Sequence, residues 1–250
     1  MKSILITRPK SQAKGFATAL AEAGFKPILF PVIEIRPKED TSALDYALGK
    51  LACYDWVVFT SINGVEYFWA RLEALGIRDF PVNVQVAAIG PKTAEALKDR
   101  GVTAAFTPAE YVAEAILPGL GELKGRWVLL PRAEIARKAL PEAITAAGGM
   151  AHEIAIYQTL PAQIDLLGLE ALQQGVDVIT FTSPSTVQNF ITLVKNAGLD
   201  PLDLPELPMV ACIGPITASA ASAAGLRVDM IADSYTTAGL VDLLRNKLNK

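Results

Sequence analysis

Four short stretches combine hydroxyls and backbone amides at spacings suited to holding an anion. Thr60-Ser61-Ile62-Asn63 and Thr182-Ser183-Pro184-Ser185 each close an apolar run and open a segment of helical periodicity. Gly90-Pro91-Lys92-Thr93 and Gly214-Pro215-Ile216-Thr217 do the same further along. A loop leading from a strand into a helix presents unpaired N–H groups, and the helix dipole adds partial positive charge, so a carboxylate or phosphate fits there. Ser and Thr at such places also serve as plain helix caps, and Thr93 and Thr217 are candidates for either role. Cations stand nearby: Lys92 beside one helix start, and Arg8 and Arg132 at the ends of the matching runs Leu5-Ile6-Thr7-Arg8 and Leu129-Leu130-Pro131-Arg132. No phosphate loop ending in Gly-Lys-Ser/Thr is present and no Gly-x-Gly-x-x-Gly follows a strand, which argues against a nucleotide cofactor.

The remaining reactive residues are few. With the single histidine, His152, and no paired Cys/His spacing, a transition-metal site is not expected. His152 reads as a partly exposed strand residue. Cys53 and Cys212 lie among apolar neighbours and read as buried, reduced thiols, which suits a reducing cytoplasm. A net charge of −3 argues against a broad basic surface for nucleic acid. The opening residues hold only Ile4-Leu5-Ile6 as a run of large apolar side chains, so neither a leader nor a membrane anchor is expected and the location reads as cytoplasmic.

The elements that must position these residues occur twice. Asp55-Trp56-Val57-Val58-Phe59-Thr60-Ser61 matches Asp177-Val178-Ile179-Thr180-Phe181-Thr182-Ser183 at an offset of 122, and Ala88-Ile89-Gly90-Pro91 matches Cys212-Ile213-Gly214-Pro215 at 124. Ala23-Gly24, Gly101 and Tyr111 find partners in Ala147-Gly148, Gly225 and Tyr235, again at 124. One unit is duplicated, with its order retained. The runs Trp56 to Phe59, Val86 to Ile89 and Val128 to Leu130 are too apolar and β-branched for one-sided strands and read as parallel strands buried on both faces. Between them, Phe16 and Leu20, then Val65, Phe68 and Leu72, then Val187, Ile191 and Val194 keep helical spacing. Ser11 and Ser185 are placed as N-caps, and Gly24, Gly101, Gly148, Gly198 and Gly225 stand where helices end in a left-handed residue. At 250 residues, strand and helix alternating about five times per unit predict an α/β chain of two doubly wound parallel sheets. Their ligands belong at the C-terminal strand ends.

Taken in order, Ile4-Leu5-Ile6-Thr7-Arg8-Pro9, Pro31-Val32-Ile33-Glu34-Ile35, Phe59-Thr60-Ser61-Ile62-Asn63-Gly64-Val65, Ala88-Ile89-Gly90-Pro91, Ile156-Tyr157-Gln158-Thr159, Phe181-Thr182-Ser183-Pro184-Ser185 and Ile213-Gly214-Pro215-Ile216-Thr217 resemble the uroporphyrinogen-III synthase family along essentially the whole chain. The resemblance implies two flavodoxin-like domains that do not coincide with the repeats. Residues 1–35 plus 158–250 would form one and 36–157 the other, with extended crossings over Pro31 to Pro37 and Ile154 to Pro161 and the site in the cleft between domains. It implies a monomeric, cofactor-free enzyme that takes hydroxymethylbilane, expels its hydroxyl as water, inverts the last pyrrole ring and joins the chain ends. Because the bilane also closes unaided to the unflipped isomer, conformational restraint is the larger task.

On these positions the resemblance places the substrate's eight carboxylates against the helix starts and against Arg8, Lys92 and Arg132. The helix starts contribute Thr60, Ser61 and Asn63; Gly90 and Thr93; Thr182, Ser183 and Ser185; and Gly214, Ile216 and Thr217. Ile216 departs from the threonine often found there in the family, which leaves its backbone N–H. Tyr157 falls where the family's site tyrosine lies, and its phenol is the expected donor to the leaving hydroxyl. Neither nucleic acid nor a membrane is an expected partner, and a transient contact with hydroxymethylbilane synthase stays open. A two-lobed cytoplasmic binding or sensing protein without catalysis is the competing reading of the same architecture.

Overall fold

The structure is a computed structural model that describes residues 1–110 and 113–248; Tyr111 of the repeat therefore lies outside the described residues. Along the chain run β1 (Ser3–Ile6), α1 (Lys10–Glu22), β2 (Lys26–Leu29), β3 (Ile33–Pro37), α2 (Ser42–Gly49), β4 (Trp56–Phe59), α3 (Ile62–Ala74), β5 (Gln85–Ala88) and α4 (Pro91–Lys98). They continue as β6 (Trp127–Ala133), α5 (Ala139–Ala146), β7 (Met150–Pro161), α6 (Leu166–Gln174), β8 (Val178–Phe181), α7 (Pro184–Asn196), β9 (Met209–Cys212), α8 (Pro215–Ala223), β10 (Met230–Ile231) and α9 (Thr237–Leu248). The chain divides into two compact units, Met1–Ile35 with Leu160–Lys250, and Arg36–Thr159.

The first unit carries a sheet in the order β2-β1-β8-β9-β10, with parallel pairing throughout. Renumbered within the unit this is 2-1-3-4-5, the flavodoxin-like doubly wound order. Alternate residues of one strand serve opposite faces. Ile4 and Ile6 pack with Phe16 and Leu20 of α1 and Leu240 and Leu244 of α9. Leu5 faces the other way, with Ile179, Phe181 and the helix residues Leu172, Val187, Phe190 and Val194. A fully buried side chain of this size contributes about 1.5–3 kcal/mol, which is why strands with both faces covered read as unbroken apolar runs.

The second sheet runs β3-β7-β6-β4-β5, and Ala87 adds a parallel bridge to Phe106 beyond β5. One face is filled by Trp56, Val58, Val128 and Leu130 against Leu140 and Ile144 of α5 and Ile116 and Leu120 of a 3-10 segment, Ala113–Leu120. On α3, Phe68 meets Phe59 edge-on at 5.2 Å and Trp69 stacks on Phe80 at 5.7 Å.

The topology shows what the duplication does. β1, α1 and β2 of the first repeat complete a sheet whose other strands, β8 to β10, come from the second. β6, α5 and β7 of the second repeat complete the sheet containing β4 and β5 of the first. Each unit is thus built from one strand-helix-strand of one repeat and the remaining strands of the other, and β3 and β7, which carry the two crossings, lie side by side.

Several helix ends follow local rules. Gly24, Gly101, Gly148, Gly198 and Gly225 all have φ between 78° and 88°, the left-handed conformation that ends helices at little cost for glycine. Two expected caps are corrected. The helix expected at Ser11 starts at Lys10, with Pro9 in the capping place and no side-chain cap bond. α7 is capped by Ser183, because Pro184 takes the first helical position, where its missing N–H costs nothing; Ser185 already lies inside the helix. Cys212 is buried as expected, whereas Cys53 is exposed at the end of a 3-10 turn whose Leu51 fills the core. No helix among the described residues is long and apolar enough to cross a membrane.

Candidate active site

Hydroxyls and a buried cation converge at the C-terminal end of the second sheet. Ser61 follows β4 in extended conformation and caps α3, its Oγ accepting the Gly64 N–H at 3.0 Å. The same Oγ lies 2.8 Å from the phenol oxygen of Tyr157, and the Tyr67 ring covers the Tyr157 ring at 5.7 Å. Tyr157 is only 7% exposed. A bulge aims it. Along β6 and β7, Arg132 pairs with Ala155 but Ala133 pairs with Tyr157, so Ile156 is an extra residue and the strict alternation of faces breaks. As a result Ile156 and Tyr157, though consecutive, are both buried. The bulge is held by Lys38, whose N–H donates to Ile156 O at 3.0 Å, and by Glu134, whose N–H donates to Tyr157 O at 2.9 Å.

Arg132, one strand over, is 4% exposed. Its Nη1 stands 3.6 Å from Glu153 Oε2, beyond hydrogen-bond reach, and Glu153 is also engaged by Lys138 Nζ at 2.6 Å. Nε and Nη1 of Arg132 are buried without a hydrogen-bond partner. Burial, opposed in part by Glu153, pulls this guanidinium below its ordinary pKa. A buried cation with unmade bonds is costly unless an anion completes it.

The other expected residues of this unit are placed less closely. Thr60 and Asn63 are half-buried on either side of Ser61. Gly90 caps α4 with no side-chain bond, Lys92 is exposed, and Thr93 is buried in the first turn. Thr93 and Thr217 therefore do not cap their helices: with Gly-Pro at the start, the backbone turn comes earlier and the threonine faces inward, 4% and 3% exposed.

In the first unit the matching framework holds different chemistry. Ser183 caps α7 by accepting the Thr186 N–H at 3.3 Å, and its Oγ contacts Ser185 Oγ at 2.9 Å. Thr182 beside it is half-buried. Arg8 donates from Nη2 to Gln12 at 3.1 Å while its Nε is buried without a partner, and burial lowers its pKa. Gly214 caps α8, where a Cβ would meet the Tyr235 ring at 3.1 Å, and Ile216 is 77% exposed, leaving its turn open to solvent. At the repeat offset of 124, Tyr157 corresponds to Ile33, a core residue; the phenol belongs to one unit alone.

Two contributors were not foreseen. Gly64 lets α3 start against β6: a Cβ there would lie 3.1 Å from Pro131 O and 3.2 Å from Ser61 Oγ. A glycine in the first turn of a helix disfavours that helix, and this was the available signal. Glu153 gave none, since its meeting with Arg132 depends on strand register.

The family model described as "Uroporphyrinogen-III synthase HemD" matches residues 14–242. A uroporphyrinogen-III synthase of Synechococcus elongatus is 34% identical over 96% of this chain and 93% of its own length. One of Chlorobaculum parvum is 31% identical over 94% of each chain. Among solved structures, a mutant uroporphyrinogen III synthase of Thermus thermophilus superposes with a TM-score of 0.64 at 21% identity, covering 100% of this chain and 99% of that one. The uroporphyrinogen-III synthetase of Helicobacter pylori gives 0.65 at 19%, covering 98% and 99%. The two structures speak for the fold; the family match and the relatives above 30% identity along nearly the whole chain go further, and by them this chain belongs to the uroporphyrinogen-III synthase family.

Proposed function

We propose that this chain closes hydroxymethylbilane to uroporphyrinogen III, with inversion of the last ring and loss of water, and that Tyr157 assists departure of the hydroxyl. The observation that carries the reading is the pairing of Tyr157 with Ser61 at a strand end, beside a buried arginine whose Nε and Nη1 make no hydrogen bond. In the proposed step the phenol proton passes to the hydroxyl oxygen as the carbon–oxygen bond breaks. Water leaves, and the pyrrole nitrogen supplies electrons to the carbon left behind. The substituted carbon of the last ring then bonds to that carbon, its older bond to the neighbouring methylene breaks so that the ring turns over, the methylene rejoins at the ring's free carbon, and the proton that this carbon sheds returns to the phenolate of Tyr157. A general acid of this kind contributes on the order of 10² to 10⁴ fold, and restraint of the flexible bilane supplies the choice of isomer.

Carboxylate recognition is assigned to Arg8 and Arg132 and to Lys92. With them we place Thr60, Ser61, Asn63, Gly90, Thr93, Thr182, Ser183, Ser185, Gly214, Ile216 and Thr217 at the helix starts, mostly through backbone N–H groups. The proposal includes a cytoplasmic location and transient contact with hydroxymethylbilane synthase, since a substrate that closes unaided to the wrong isomer is best passed on without delay. The test is to supply freshly made hydroxymethylbilane, oxidise the product and identify the isomer. The type III isomer is expected; a binding protein without catalysis would leave only the spontaneous one.

A further inference from the structure

The Ser61 hydroxyl meets two groups at once. A serine oxygen has one hydrogen and two lone pairs. One lone pair is committed to the Gly64 N–H at 3.0 Å, which leaves the hydrogen and the second lone pair for Tyr157 Oη, 2.8 Å away, so that either oxygen can donate. With Ser61 donating, Tyr157 accepts and its own O–H points elsewhere. The opposite arrangement, Tyr157 donating to Ser61, would tie up the proton that the proposed reaction needs.

The two repeats separate this from ordinary capping. Ser183, the counterpart of Ser61, also caps its helix, yet its hydroxyl pairs with Ser185 in its own turn, and the position matching Tyr157 is the core residue Ile33. Where the phenol is missing the serine closes locally; where it is present the serine turns to it. The Tyr157 backbone is already fixed by the Ile156 bulge, and its ring lies against Tyr67, so the hydroxyl direction is what remains to be set.

We propose that Ser61 is a positioning residue, whose hydroxyl donates to the Tyr157 phenol oxygen and so fixes the direction in which Tyr157 delivers its proton. The same donor follows the oxygen as it becomes negative, and the N-terminus of α3 lies behind it. This rests on the reading of Tyr157 as the acid.

The test compares S61A, S61G, S61T, Y157F and the double variant S61A/Y157F by steady-state kinetics with fresh hydroxymethylbilane and by thermal melting. Ser61→Ala is expected to lower kcat roughly fivefold to thirtyfold, the loss of a hydrogen bond to a group gaining charge, with KM within about twofold. Ser61→Gly should be as slow as Ser61→Ala while melting closer to wild type, because glycine is a fair N-cap. Ser61→Thr should recover most of the rate. The double variant should be no slower than Tyr157→Phe alone, within about twofold, because the serine then has no phenol to direct. Multiplying single effects in the double variant would overturn the positioning role and leave Tyr157 as the acid. Recovery of rate in Ser61→Gly in step with its melting temperature would also overturn it, by assigning Ser61 to the cap. A wild-type rate in Tyr157→Phe would instead remove the acid reading, and this inference with it.

Discussion

Asp55 and Asp177 make the same bond in the two units, and each makes it to the other repeat. Asp177 Oδ2 accepts the Ser3 N–H at the start of β1 at 2.8 Å, and Oδ1 accepts Lys2 Nζ at 2.7 Å. Asp55 Oδ2 accepts the Trp127 N–H at the start of β6 at 2.8 Å, and Oδ1 accepts Arg126. These carboxylates pin the strands that the repeats exchange, at the N-terminal strand ends, away from Ser61 and Ser183 at the C-terminal ends.

Acid should therefore loosen the first unit through Asp177. Burial works against its charge, but the bonds from Lys2 and Ser3 outweigh burial and lower its pKa to about 2. An unfolded aspartate titrates at about 3.9, so the folded group binds its proton less readily. Its stabilisation is fully present above about pH 4 and is lost as pH falls through the folded value near 2. Denaturant titrations from pH 5 to 2 should show a shallower dependence of stability on pH in Asp177→Asn than in wild type. Equal slopes would place the acid sensitivity elsewhere.

Tyr157→Phe removes one oxygen and keeps the ring that packs on Tyr67. Its kcat is expected to fall at least about tenfold, the low side of general-acid effects, with the melting temperature nearly unchanged. Loss of activity only through unfolding would assign Tyr157 to packing.

Arg132→Met keeps most of the side-chain volume and deletes the charge. Because Nε and Nη1 make no hydrogen bond, its stability should hold or improve, as buried charges replaced by apolar groups often allow. If a substrate carboxylate completes this guanidinium, KM should rise more than kcat falls, with kcat/KM down by about 1–3 kcal/mol. Arg8→Ala should follow the same pattern. Unchanged kinetics in both variants would make the arginines structural.

Gly64→Ala should be harmful although alanine favours helices. The added Cβ would stand 3.1 Å from Pro131 O, a backbone atom inside the sheet that has little freedom to move. α3 should shift away from β6 and carry Ser61 with it, costing about 1 kcal/mol of stability and lowering kcat. A more stable, fully active variant would show that the helix start tolerates the displacement.

Much of the architecture is written locally. The duplication, the strands buried on both faces, the left-handed glycines and the Thr-Ser turns after β4 and β8 follow from residue type and spacing, because each is decided within a few residues of chain. Caps were less secure: Pro9 and Pro184 set where α1 and α7 begin and so displaced Ser11 and Ser185. The Gly-Pro starts of α4 and α8 turned Thr93 and Thr217 inward. The orientation of Cys53 and the burial of Arg132 needed the packed neighbours.

The site itself separates the two levels of information most clearly. Sequence alone supplied Ser61, by its place between an apolar run and a helix, and supplied Arg132 by its match to Arg8; family likeness supplied Tyr157. That Ser61 and Tyr157 lie within a hydrogen bond of each other was decided by tertiary structure, because their strands meet only through β6 and because one extra residue, Ile156, shifts the register of β7. A bulge moves every later side chain to the opposite face, and its position is set by pairing between strands distant in sequence, which local periodicity does not record.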